Sequence, residues 1–175
     1  LKAAQAGGAR ALVLTGEGSA FCSGADLVGD GEGMPDDLGE LLESYYHPAI
    51  REMAALDIPI VTAINGPAVG AGLSLALAGD IVLMARSSYL LLAFANIGLV
   101  PDAGATWLVA KSVGRAKALE MALLGEKISA EQALGIGRNS LDVLAEFAVE
   151  LIYEVLGNRD RVVIALSKRR QMNRK

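Results

Sequence analysis

The sequence predicts an α/β fold, and three observations carry the prediction. Short apolar or β-branched runs end at glycine, the stretches between them carry apolar residues at helical spacing, and the two kinds of segment alternate along the chain. Ala11-Leu12-Val13-Leu14-Thr15, closed by Gly16, and Ile58 to Ile64, closed by Asn65-Gly66-Pro67, read as buried strands. Between them, Leu38, Leu41, Leu42, Tyr45, Ala49, Met53 and Leu56 share one helical face, so an amphipathic helix is expected from Leu38 to Leu56. Gly70 to Ala78 is small and apolar on every side, which predicts a buried helix. Ile81 to Ala85 and Tyr89 to Leu92 follow as strands, then helices from about Ala105 to Val113 and Arg115 to Leu124. Ser129-Ala130-Glu131-Gln132 has the form of a capping box, although Gly135 and Gly137 shorten the helix it opens. Two further amphipathic helices are expected, Leu141 to Leu156 and Arg161 to Met172.

A chain of 175 residues with 53% hydrophobic and 21% charged content buries a substantial core, which argues for a single folded domain and against disorder. The net charge of -4 gives no global attraction for nucleic acid or for an anion, so any anion site must be local. The segment from Arg159 to Lys175 departs from this, with seven basic residues against Asp160. It reads as a solvated helix face or as a surface for phosphate, and it has no aromatic residue for stacking on bases. The longest nearly uncharged apolar run, Tyr89 to Val100, is too short for a bilayer. With the lone Cys22 and no targeting pattern at the first residues, a cytoplasmic setting is expected.

Two segments carry the chemistry. Gly18 to Leu27 follows a strand and is crowded with small residues, as expected where backbone amides must approach a ligand. Ile64 to Leu73 runs from a strand through a tight turn into a helix start, whose N–H groups are unpaired and aimed at negative charge. The glycine-rich turn alone is an ordinary feature of strand-to-helix junctions. Two such segments together predict an oxyanion hole, and a thioester carbonyl is its natural occupant because the enolate puts charge on that oxygen.

The runs Phe21-Cys22-Ser23-Gly24-Ala25-Asp26-Leu27 and Ala63-Ile64-Asn65-Gly66-Pro67-Ala68-Val69-Gly70-Ala71-Gly72, with Ala78-Gly79-Asp80-Ile81 behind them, resemble the two signature blocks of the crotonase superfamily. The similarity extends from about Leu12 to Gln132. It implies a crotonase-like spiral of ββα units assembled into a homotrimer or a dimer of trimers, an acyl-CoA thioester substrate, and no cofactor apart from the coenzyme A of that substrate. By the same resemblance the Ala25 and Ala71 amides form the oxyanion hole, and Ser23, Ala25, Asp26, Leu27, Val28, Ala71 and Phe94 lie along the acyl-CoA path. Residues 1–175 are expected to be one crotonase-like domain, with a spiral core to about residue 135 and C-terminal helices from about 141. Family members begin with an extra strand pair and helix, and they continue after Gly135 with a valine-rich turn. The chain is therefore expected to be truncated at its N-terminus or to omit residues, with joins near Gly29 to Pro35 and Gly137 to Ser140.

The reaction is read from the carboxylates. Hydration of a conjugated double bond is easiest with two, one to activate water and one to hold a proton. In hydratases of the family the two glutamates fall at positions aligned with Ser74 and Phe94, and neither is acidic here. Asp102 remains, in a block that with Val113 to Leu119 most resembles epoxyphenylacetyl-CoA isomerases and related enoyl-CoA isomerases. One carboxylate suffices to move a proton between two carbons, which is a double-bond shift. The other reading of Asp102 is a helix N-cap. A hydratase using Asp102 and a bound water is the rival reaction, and a non-catalytic acyl-CoA-binding or self-assembling scaffold is the rival from another class.

Other motifs fall away. Gly70-Ala71-Gly72-Leu73-Ser74-Leu75 has Leu where a dinucleotide fingerprint needs its third glycine or alanine. The single histidine, His47, precedes Ser74, the reverse of a hydrolase triad, and has no companion ligands for a metal. It reads as a partly exposed structural residue, or with Tyr45 and Tyr46 as part of the acyl pocket. Cys22 is expected to be a small buried residue, and Trp107 to be packed.

Overall fold

The computed structural model describes residues 1–26, 37–137 and 162–166. A short helix α1 (Lys2–Ala6) precedes strand β1 (Leu12–Thr15). A continuous helical stretch follows, made of α2 (Leu38–Leu41), a π-helical turn (Leu42–Tyr46) and α3 (His47–Ala55). The chain then forms β2 (Ile60–Ile64), β3 (Ala68–Val69), α4 (Ala71–Leu77), β4 (Ile81–Ala85), β5 (Tyr89–Leu91) and a 3₁₀ turn (Ala93–Ile97). Helices α5 (Ala105–Val113) and α6 (Arg115–Leu124), strand β6 (Lys127–Ser129), helix α7 (Ala130–Gly137) and strand β7 (Val162–Leu166) complete the order.

The α/β expectation holds. One sheet has the order β1-β2-β4-β7, its first three strands parallel and β7 antiparallel to β4; the other has the order β3-β5-β6, with β3 parallel and β6 antiparallel to β5. Parallel neighbours need crossover connections, and helices supply them. The helix between β1 and β2 starts where the Asp37 carboxylate accepts the amides of Gly39 and Glu40 at 2.8 and 3.1 Å. The capping box also forms: Ser129 Oγ accepts the Gln132 amide at 3.2 Å while Gln132 Oε1 accepts the Ser129 amide at 2.8 Å. Helix α7 runs through Gly135 to Gly137 nonetheless.

Helix α4 is buried almost all round, as its composition requires. It forms part of the main core, where Leu73, Ala76 and Leu77 join Val82, Met84, Leu92 and Val109. Thr62, fully buried on β2, donates its hydroxyl to the Ala76 carbonyl at 2.7 Å and so ties that helix to the sheet.

Three expectations need correction. Strand β1 is not buried on both faces: Leu12 and Leu14 pack against the Met53, Ile60 and Ala78 cluster, whereas Val13 is 60% exposed, because among the described residues only one face of β1 is covered. A helix from Arg161 to Met172 was expected, but Val162–Leu166 is a strand paired with Ile81–Ala85; β-branched Val162, Val163 and Ile164 suit that edge better than a helix. Trp107 is half exposed, with the Lys111 ammonium 4.3 Å from its ring centre, since it falls on the outer face of α5. The helix expected over Leu141 to Leu156 lies outside the described residues, as does the basic tail apart from Val162–Leu166.

Candidate active site

The loops after β1 and β2 leave neighbouring parallel strands at the same end, and they lie against each other backbone to backbone. The Phe21 and Cys22 amides donate to the Pro67 carbonyl at 3.0 and 3.2 Å, and the Val69 amide returns a bond to the Cys22 carbonyl at 2.9 Å. The Asn65 side chain closes the junction. Its oxygen accepts the Gly16 amide at 3.0 Å, and its nitrogen donates to the carbonyls of Gly18 and Ala20 at 3.0 and 3.3 Å. The approach leaves no room for side chains: a Cβ on Gly72 would stand 2.2 Å from the Cys22 carbonyl oxygen. At Gly24, whose φ is +91°, a Cβ would stand 3.0 Å from the Val69 oxygen and 3.5 Å from the Ala71 nitrogen. The small-residue composition of both segments is therefore what lets Ala25 and Ala71 come to one place.

Ala71 is the first residue of α4, after Gly70 at φ +56°, and its amide has no carbonyl partner among the described residues. With seven residues, α4 is too short for its dipole to matter much; the directed N–H groups are what the helix start offers.

Ala71 borders a cavity of about 120 Å³. Ser23, Ala25, Asp26, Ala71, Phe94 and Asp102 all line it, so six of the sequence-derived site residues are brought together, while Leu27 and Val28 lie outside the described residues. Leu38, Leu41, Leu42, Ile97 and Leu99 add apolar walls. Leu38, Leu41 and Leu42 follow helical spacing, and the fold turns this stripe toward the opening. Tyr46 lines the cavity as well, whereas Tyr45 beside it is 73% exposed.

Asp102 is the carboxylate set into the wall. Its backbone continues through Ala103 at φ +47° and Gly104 at φ +82°, and Gly104, not Asp102, is the N-cap of α5, with no side-chain cap bond. The N-cap reading of Asp102 is thus excluded by geometry. Its Oδ1 is buried and has no hydrogen-bond partner among the described residues. Burial pushes the carboxyl above the usual carboxylate range, opposed by the charge of His47 and by a hydrogen bond from the backbone amide of Asp102 itself. Asp26, by contrast, is exposed at the rim.

Around the carboxylate, burial pushes the Tyr46 hydroxyl up, and the negative charge of Asp102 adds to the effect. His47 Nδ1 lies 2.9 Å from Glu43 Oε1, and Glu43 also meets Arg51 at 3.2 Å. The bond from His47 holds the Glu43 carboxyl below its ordinary value. Cys22 is only half buried, although a sequence reading expects a small buried residue there, and both its carbonyl and its Cβ lie close against Gly72. Ser74 is fully buried and donates its hydroxyl to the Asp102 carbonyl at 3.2 Å; Phe94, 6% exposed, closes the cavity with a ring. Ser74 and Phe94, where the family resemblance leads one to expect hydratase glutamates, are a buried hydroxyl bonded to a backbone carbonyl and an aromatic wall.

Residues 1–171 match the family described as enoyl-CoA hydratase/isomerase. A 1,2-epoxyphenylacetyl-CoA isomerase of Escherichia coli is 50% identical over 127 residues, covering 71% of this chain and 48% of that protein. A probable enoyl-CoA hydratase of Rhodobacter capsulatus is 49% identical over 131 residues, covering 75% of this chain and 51% of its own length. The chain thus spans about half the length of these relatives. Among solved structures, an enoyl-CoA hydratase from Bacillus anthracis superposes with a TM-score of 0.70 at 32% identity, over 85% of this chain and 59% of that one. Among the described residues, no helix is long and apolar enough to cross a membrane.

Proposed function

Because the chain belongs to the enoyl-CoA hydratase/isomerase family, we propose that it acts on an enoyl-CoA thioester and shifts its carbon–carbon double bond without adding water. The observation that carries this reading is Asp102, among the described residues the one buried carboxylate facing a cavity that is otherwise walled mainly by apolar side chains. In this reading the Ala25 and Ala71 amides hold the thioester oxygen, each donor worth about 3 kcal/mol to the charged intermediate. Asp102 takes a proton from the carbon next to the thioester carbonyl of a 3-enoyl chain, and the charge moves onto the oxygen as a dienolate. The same carboxyl returns the proton two carbons further on, leaving the 2-enoyl product with no net change in atoms. A carboxyl that burial has raised suits both halves, since it must give back the proton it took. The apolar walls keep water from the dienolate.

A relative named as a hydratase favours a second reading, hydration by Asp102 and a held water. The test is an assay of the purified protein with a 3-enoyl-CoA and separately with a 2-enoyl-CoA, following bond position by NMR and mass by mass spectrometry. A bond shift at constant mass supports isomerisation, and a gain of one water from the 2-enoyl substrate supports hydration. Asp102→Asn is expected to lower turnover about 100- to 10,000-fold with acyl-CoA binding retained. Absence of turnover in both proteins, with binding intact, would support the non-catalytic scaffold.

A further inference from the structure

We propose that Ser74 is the positioning residue for Asp102, fixing the carboxylate's backbone to the helix that carries the Ala71 amide. This rests on the reading of Asp102 as the proton carrier. The buried Oδ1 of Asp102 has no hydrogen-bond partner among the described residues, so the carboxylate's place is set largely by its backbone. That backbone is under strain. Ala103, a residue with a side chain, is held at φ +47° while 1% exposed, and Gly104 follows at φ +82°. Sparsely populated conformations of this kind persist only where the surroundings over-determine them.

Two bonds do so, both on the Asp102 carbonyl oxygen: the Ala105 amide at 2.7 Å, from within the same turn, and the Ser74 hydroxyl at 3.2 Å, from α4. Only the second reaches outside the turn. A helical serine commonly returns its hydroxyl to the carbonyl four residues back, here Gly70, whose oxygen already takes the Leu73 and Ser74 amides. Ser74 instead spends its one donor across elements. It stands three residues after Ala71, about 4.5 Å along the helix axis at 1.5 Å per residue. The amide proposed to hold the thioester oxygen and the clamp on the base thus belong to one short, buried helix, and the distance between the two working groups is fixed by it.

The test is Ser74→Ala in the full chain, beside Asp102→Asn. The variant removes one oxygen from a buried site and leaves the cavity lining untouched. Expected are a kcat lower by about 10- to 100-fold, the cost of a misplaced group, and an unchanged Kd for a saturated acyl-CoA by calorimetry. The acid limb of the kcat–pH profile should move to lower pH, because a freed carboxyl gains water while still facing His47, Tyr46 and Asp26. An unchanged kcat would overturn the proposal, and so would a loss of kcat matched by an equal loss of acyl-CoA affinity with the pH profile in place, which marks a packing role only. If Ser74→Ala is silent while Asp102→Asn abolishes turnover, this proposal fails and the proton-carrier reading stands. If Asp102→Asn remains active, the proton-carrier reading fails first.

Discussion

At the scale of single residues, the site depends on atoms that are not there. Gly72 lies where a methyl group would press to 2.2 Å on the Cys22 carbonyl oxygen, so Gly72→Ala is expected to force the two loops apart. Alanine would improve the intrinsic helix propensity of α4, yet overpacking of this kind costs about 1–3 kcal/mol and should dominate. Urea unfolding and a turnover assay check it: lower stability and lost activity are expected together. This part of the molecule was legible in the sequence, since Gly-rich, small-residue segments after two strands announce close backbone contact. Asn65 was visible as a turn residue, but its role as a clamp on Gly16, Gly18 and Ala20 was not, because those partners lie more than forty positions away. The left-handed Ala103 was invisible for another reason: nothing in an alanine foretells positive φ.

At the scale of elements, the helical stretch between β1 and β2 shows where periodicity misleads. Its apolar spacing was read as one amphipathic α-helix, and the spacing is there, but the turn Leu42–Tyr46 is π-helical, with the His47 amide bonded to the Leu42 carbonyl. Pro48, just beyond, has no N–H for the Ser44 carbonyl, which removes a bond that would hold the α register. The wider turn sets Tyr46 on the cavity while Tyr45 faces solvent. Pro48→Ala restores the donor. The expected outcome is a protein melting no lower than the parent, by circular dichroism, whose KM for an enoyl-CoA rises severalfold because Tyr46 and Leu42 rotate from their places. Strand β7 is the opposite case: apolar spacing over Arg161 to Met172 matched a helix, and the open edge of β4 won.

At the scale of the whole molecule, Asp102 links function to stability. Its carboxyl is raised in the folded state above its unfolded value, so its contribution is fully present below the unfolded carboxylate range and is lost as pH climbs through the folded value. Asp102→Asn is therefore expected to melt higher than the parent at pH 7 to 8 and to lose that advantage near pH 3, by scanning calorimetry. Stability is given up where the proposed base must be ionised. The parallel pairing of β1 with β2 has a different consequence, felt before the protein is finished. Thr15 and Ala63 are neighbours in the sheet but 48 residues apart in the chain. A ribosome adding about 5–20 residues per second leaves β1 without its partner for about 2–10 s. During that interval Leu12 and Leu14 belong to an open edge that any other nascent strand can meet. Whatever keeps β1 solitary until β2 emerges favours the native pairing over a foreign one.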